Sequence, residues 1–227
     1  MPSNEVIVKD RTLEQDLYYK NTKVMHYSIK YPHFISNTYH TLANKLNNYY
    51  RTKATMYQRT NIMQLYQEAM VDYEYSIAND FPVHEYEAVV EYTVTYNENC
   101  MLSLYFDQYE YTGGAHGNTV RTSDTWNLTQ SKRAELSDFF PGKSNYNEFI
   151  IGSIINQIKQ QVKDNTTMVF DDYPKLVAES FKANNFYLSE EGVVIYFQQY
   201  DIAPYASGIL TFVIPFGPGG ATEPQCP

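Results

Sequence analysis

Residues 192–215 read GVVIYFQQYDIAPYASGILTFVIP. Two runs rich in β-branched and aromatic residues, 192–198 and 209–215, read as strands, and a polar, aromatic segment at 199–208 separates them. Hairpins usually turn in two to five residues. A connection this long, holding Pro204, the tyrosines Tyr200 and Tyr205 and a closing Gly208, is either a packed corner or a binding loop. Rigid aromatics beside a proline are the side chains that anchor interfaces. Tyr200, Asp201, Pro204, Tyr205 and Ser207 are therefore the candidate partner-binding residues.

Working backward, residues 186–188 form a short strand, with a turn at 190–192. Two helices precede it. In the first, Tyr146, Ile150, Ile154 and Ile158 recur at helical spacing with Ile151, Ile155 and Val162 beside them, behind an Asn145/Glu148 capping box. The second covers 175–184. Residues 130–140 predict a helical turn that docks Leu136, Phe139 and Phe140. Upstream the period is two: 89–96 and 102–107 alternate as a hairpin about residues 97–99, and 118–128 returns as a further strand. Between them lies YTGGAHG at 111–117, whose glycines permit positive φ or close backbone approach. Residues 37–79 contain neither Gly nor Pro, and Tyr39, Leu42, Leu46, Tyr49, Lys53, Met56, Thr60, Met63 and Met70 fall near helical spacing. They predict one long helix or two end to end, capped by Ser36 or Asn37. Before it, 24–31 reads as a strand stopped by Pro32, and 5–8 as a short β-like run. Segregated helices with antiparallel hairpins give the α+β class. The expected division is residues 1–115, residues 116–217 and a flexible tail at 218–227.

The chain has 227 residues, enough to bury a core without staples. Its 23 tyrosines suit strand faces and wettable contact surfaces. A net charge of -9, with cations scattered, argues against nucleic acid and suits a basic partner. Cys100 lies in an apolar run and Cys226 in a Pro/Gly-rich tail; they are not expected to pair, and Cys100 reads as a small buried hydrophobe. No signal peptide is read at 1–10, and no stretch is long enough to span a bilayer. Residues 127–129 and 165–167 match the glycosylation sequon.

No nucleophile elbow, zincin motif, phosphate loop or dinucleotide fingerprint is present. No metal site and no cofactor are expected. His116, in its Gly-flanked loop, is a second candidate contact residue. With Asp107 and Glu110 it also makes the alternative, enzymatic reading, a cell-wall glycan hydrolase or deacetylase-associated site at the GGAH loop.

FDQYEYTGGAHGNT at 106–119, WNLTQSKRAELSDFF at 126–140 and FYLSEEGVVIYFQQYDIAPYASGILTFVIPF at 186–216 together resemble a known family. It is the paired bacterial extracytoplasmic domains of unknown function found in RsiV-type anti-sigma factors and PdaC-type peptidoglycan deacetylases, over residues 24–216. The resemblance implies an α+β fold and an extracytoplasmic location, secreted or tethered through a leader or anchor outside this sequence. In the anti-sigma branch the pair binds lysozyme, a basic protein; in the deacetylase branch it accompanies a separate catalytic domain. The expected function is thus a non-enzymatic binding or sensing module for a basic protein such as lysozyme or for a cell-wall glycan.

Overall fold

The structure, a computed structural model, describes residues 6–226. The order is β1 (Ile7–Tyr19), β2 (Thr22–Ile35), α1 (His40–Tyr57), a π-helical turn (Gln58–Ile62), α2 (Met63–Ala78), β3 (Tyr86–Glu98), β4 (Met101–Tyr111), β5 (Asn118–Asn127) and β6 (Lys132–Arg133). Then come a 3-10 turn (Leu136–Phe139), α3 (Tyr146–Lys163), α4 (Tyr173–Ser180), β7 (Phe186–Ser189), β8 (Gly192–Phe197), a 3-10 turn (Tyr205–Ser207) and β9 (Leu210–Pro215). Strands β1 to β6 hydrogen-bond in chain order and β7-β8-β9 form a second sheet, so the fold is α+β as expected. Two compact units divide the chain: Val6–Tyr92 with Phe106–Val120, and Thr93–Tyr105 with the residues from Arg121 onward. The chain passes between the units at 92/93, 105/106 and 120/121, the first two within the β3–β4 hairpin.

In the unit that begins at Val6, the run expected at 5–8 is the start of a much longer strand, Glu5 itself lying outside the described residues. β1 pairs antiparallel with β2 from Ile7↔Ile35 to Tyr19↔Thr22. Lys20 and Asn21 make the two-residue turn with φ of 47° and 66°, the double left-handed geometry that matches strand twist. β1 escapes a periodicity reading because it is an edge strand with mostly exposed residues on both faces. Its charged side chains also discourage edge pairing with another chain. β2 runs through Pro32 rather than stopping there. Its parallel pairing with β3 ends at Ile29↔Val90, so at Pro32 one edge of the strand needs no ladder donor.

α1 and α2 with the π turn between them are the long helical segment that crosses from β2 to the parallel β3. Its buried stripe is Leu42, Leu46, Tyr50, Ala54, Ile62, Leu65 and Ala69. The expected stripe drifted: Tyr49, Met56 and Met63 are exposed. Steps of four overshoot an ordinary α turn by about 40° each, and the wider π turn absorbs that drift. Ser36 accepts the Tyr39 N–H at 3.0 Å at the helix start. Tyr50 packs between Phe34 and Phe106, at centroid distances of 5.7 and 5.4 Å.

In the other unit, Ile150, Ile154 and Ile158 of α3 are fully buried with Leu188, Val193, Ile195, Phe212 and Ile214 of the three-stranded sheet. Each such side chain contributes about 1.5–3 kcal/mol by leaving water. Gln157 pins the helix by donating to the Val213 carbonyl at 3.0 Å. The opposite sheet face carries Tyr187, Val194 and Tyr196 with Tyr105, so β8 is buried on both sides. The Asn145/Glu148 box does not form; the two side chains touch at 3.4 Å and no side chain caps α3. A capping box forms instead at Glu135/Asp138, ahead of the 3-10 turn that docks Leu136 and Phe139.

The hairpin turn between β3 and β4 is Asn99-Cys100, at φ of 49° and 60°, two residues beyond the start of the expected turn. Cys100 is joined to Cys226, against expectation. The segment read as a flexible tail is fastened: Phe216 bridges Ala221, Ala221 is buried, and the Thr222 N–H donates to the Phe139 carbonyl at 2.8 Å. That docking brings Cys226 back to the hairpin turn, with the two Cα atoms 5.2 Å apart.

Candidate binding loop and groove

The connection between β8 and β9 is a corner with an inner and an outer face. At its start the Gln198 N–H donates to Asp201 Oδ2 at 2.8 Å and the Asp201 N–H returns to the Gln198 carbonyl at 3.1 Å. The Gln198 amide accepts from the Arg121 N–H at 2.9 Å and donates to its carbonyl at 2.6 Å, imitating a strand partner for β5. This turn throws Tyr200 outward at φ 66° and leaves it 54% exposed. Ile202 and Ala203 then plug the core, at 1% and 3% exposure. Pro204, at φ -62°, starts the 3-10 turn, and Gly208 ends it at φ 67°, ψ -151°, a conformation essentially confined to glycine.

The corner is tied to the chain after α3. The Phe170 N–H donates to the Ile202 carbonyl at 3.1 Å, and Ser207 Oγ donates to the Met168 carbonyl at 2.8 Å. An open groove of about 580 Å³ follows, walled by Asn165–Met168 on one side and Ala206, Ser207 and Leu210 on the other. It holds no charged side chain. The Tyr200 and Tyr205 rings lie 5.9 Å apart and tilted by 36°. Tyr200, Pro204, Tyr205 and Ser207 are therefore gathered on one corner, while Asp201 is structural, spending its carboxylate on the turn. The sequence reading missed the 165–168 wall, whose only signal was the sequon-like Asn165-Thr166-Thr167, a mark of surface chain.

The residues of the GGAH reading belong to the other unit. Asp107 and Glu110 lie three apart on β4 and so project from opposite faces. Glu110 accepts from the Tyr57 hydroxyl at 2.6 Å. His116 Nδ1 lies 3.0 Å from the Gly117 carbonyl. Gly117 is required where it stands, because a Cβ there would meet the Tyr109 ring at 2.4 Å and the Glu110 carbonyl oxygen at 2.6 Å. The two carboxylates do not converge, and among the described residues no His, Cys, Asp or Glu cluster has metal-holding geometry.

Burial, and then the Glu110 carboxylate, pushes the Tyr57 hydroxyl well above the ordinary tyrosine range. The folded state thus holds this proton more tightly than the unfolded chain does. Its contribution is complete below the unfolded pKa of about 10 and is lost as pH rises past it toward the folded value. Tyr57→Phe is expected to cost about 1.5–3 kcal/mol at neutral pH, as a hydrogen bond to a charged group is removed. Urea unfolding at pH 8 and pH 10.5 should show a shallower alkaline loss in the variant than in the parent.

Comparison with known proteins gives two successive family matches. The model described as "Deacetylase PdaC" matches residues 19–119, and "Protein of unknown function (DUF3298)" matches residues 137–217. The peptidoglycan-N-acetylmuramic acid deacetylase PdaC of Bacillus subtilis strain 168 is 30% identical over 122 residues, which are 52% of this chain. The chain spans 25% of that relative's length. A DUF3298-family crystal structure from Bacteroides fragilis superposes with a TM-score of 0.71 at 20% identity, covering 94% of this chain and 92% of that one. One from Pseudomonas aeruginosa gives 0.60 at 15% identity, covering 99% of both. At these identities the likeness speaks for the fold alone.

Proposed function

Since the chain carries the PdaC and DUF3298 domains in tandem, we propose that it is a non-catalytic binding module of a bacterial cell-envelope protein, acting outside the cytoplasm on cell-wall glycan. One observation carries the reading: Tyr200 and Tyr205 stand on a corner braced from beneath by Ile202 and Ala203, and the next residues wall an uncharged groove. Sugar rings present apolar faces that stack on aromatic side chains, and amides and hydroxyls such as those of Asn165, Thr166 and Ser207 read their substituents. A braced loop also loses little entropy on binding. The PdaC relative, named as a peptidoglycan deacetylase, supports the ligand class, and the Cys100–Cys226 bridge supports an oxidising compartment.

A second reading takes a basic protein such as lysozyme as the partner. The net charge of -9 favours it through steering, but the groove's own lining is neutral and offers that charge no focus.

Calorimetric titration with soluble peptidoglycan fragments and with lysozyme separates the two. Binding of the fragments should weaken about tenfold, ~1.4 kcal/mol, in Tyr200→Ala and in Tyr205→Ala, with no loss of fold for Tyr200→Ala. Unchanged fragment affinity in both variants, or binding of lysozyme alone, overturns the glycan reading.

A further inference from the structure

The unit that begins at Val6 holds a second cleft, of about 610 Å³, lined by Arg11, Tyr31, His33, Asn44, Asn47, Asn48 and Arg51. Its composition runs against that of the chain. In a protein of net charge -9 it gathers two guanidiniums and an imidazole with no carboxylate in its wall.

Register explains the gathering. Arg11 pairs with Tyr31 and Lys9 with His33 across β1 and β2, so all four side chains leave the sheet on one face, the face on which Ile29 is buried. Asn44, Asn47, Asn48 and Arg51 recur at i, i+3, i+4 and i+7 along α1 and form one stripe. Asn47 fixes the helix to the strand by accepting from the Phe34 N–H at 2.7 Å and donating to the Phe34 carbonyl at 2.9 Å. The cleft wall is therefore set before any ligand arrives.

Nearby acids are already engaged. Asp10 accepts from the Tyr92 hydroxyl at 2.5 Å, Glu91 pairs with Lys30 at 2.7 Å, and Glu110 holds Tyr57. Among the described residues neither Arg11 nor Arg51 pairs with a carboxylate; Arg51 reaches only the Asn48 amide oxygen, at 3.3 Å.

We propose that this cleft binds a carboxylate-bearing saccharide, the guanidiniums of Arg11 and Arg51 taking the carboxylate and Asn44, Asn48 and Tyr31 the ring hydroxyls. The planar guanidinium fork matches a carboxylate in two parallel bonds. Primary amides both donate and accept, as hydroxyl groups require. The site is separate from the tyrosine corner and does not depend on the reading given to that corner.

The test is an amide NMR titration of the whole chain at fixed ionic strength with tetragalacturonic acid, its methyl ester and inorganic phosphate. The acid should shift the amides of Arg11, His33, Asn44, Asn48 and Arg51, and should bind at least tenfold more tightly than the ester or phosphate. Arg11→Gln with Arg51→Gln should weaken it at least tenfold, with the rest of the spectrum unchanged. Arg11→Lys with Arg51→Lys, which keeps the charge and loses the fork, should recover only part of the affinity. Equal binding of acid and ester, displacement of the acid by an equal concentration of phosphate, or full affinity in the double glutamine variant overturns the proposal.

Discussion

Reduction of the Cys100–Cys226 bridge, or its replacement by Cys100→Ser with Cys226→Ser, is expected to lower the melting temperature by about 10 °C. The two cysteines are 126 positions apart, so the bridge closes a loop holding most of the unit that contains both. Cross-linking a chain of that length removes unfolded-state freedom worth about 4–5 kcal/mol. For a chain of this size 1 kcal/mol moves the midpoint by about 2–4 °C. Without the bridge the terminal segment keeps the Phe216–Ala221 pairing and the Thr222 bond to Phe139, so the unit should still fold. Thermal unfolding followed by circular dichroism with and without reductant gives the comparison. Coincident melts would mean that the bridge constrains nothing the other contacts do not already hold.

Ile202→Ala is the second large effect. Ile202 is the inner anchor of the corner, 1% exposed and packed in the main core of its unit. Truncating it removes transfer free energy and leaves a cavity that the braced loop cannot collapse into, a cost of about 2–4 kcal/mol. The melting midpoint should fall by about 10 °C. Binding should weaken as well, because the Tyr200–Tyr205 pair loses its support. Tyr200→Ala, on the outer face, should change stability by less than about 0.5 kcal/mol. A variant series in which Ile202→Ala costs no more stability than Tyr200→Ala would remove the distinction between inner and outer faces.

Much of this architecture was legible because burial leaves a period. The isoleucines of α3 recur at helical spacing and lie in the core, and β8 is a continuous apolar run because it is the central strand, covered on both faces. β1 was not legible, since an exposed edge strand of mixed charges has no apolar face to mark it. The bridge was not legible because it depends on where Ala221 and Thr222 dock, and a Pro/Gly-rich segment carries no signal for that. Of the β8–β9 corner, Pro204 and the two tyrosines are conspicuous by chemistry. Their separation from Ile202 and Asp201 needed the fold. In the basic cleft the Asn44, Asn48 and Arg51 stripe could be found on a helical wheel, whereas Arg11, Tyr31 and His33 join it only through the β1–β2 register.

The central claim, that the outer face of the β8–β9 corner and its groove take up cell-wall glycan, is tested most directly by amide hydrogen exchange with and without soluble peptidoglycan fragments. Slowed exchange concentrated in residues 165–168 and 199–210 is the predicted result. Fragments that bind while those segments exchange at their free rates would contradict it.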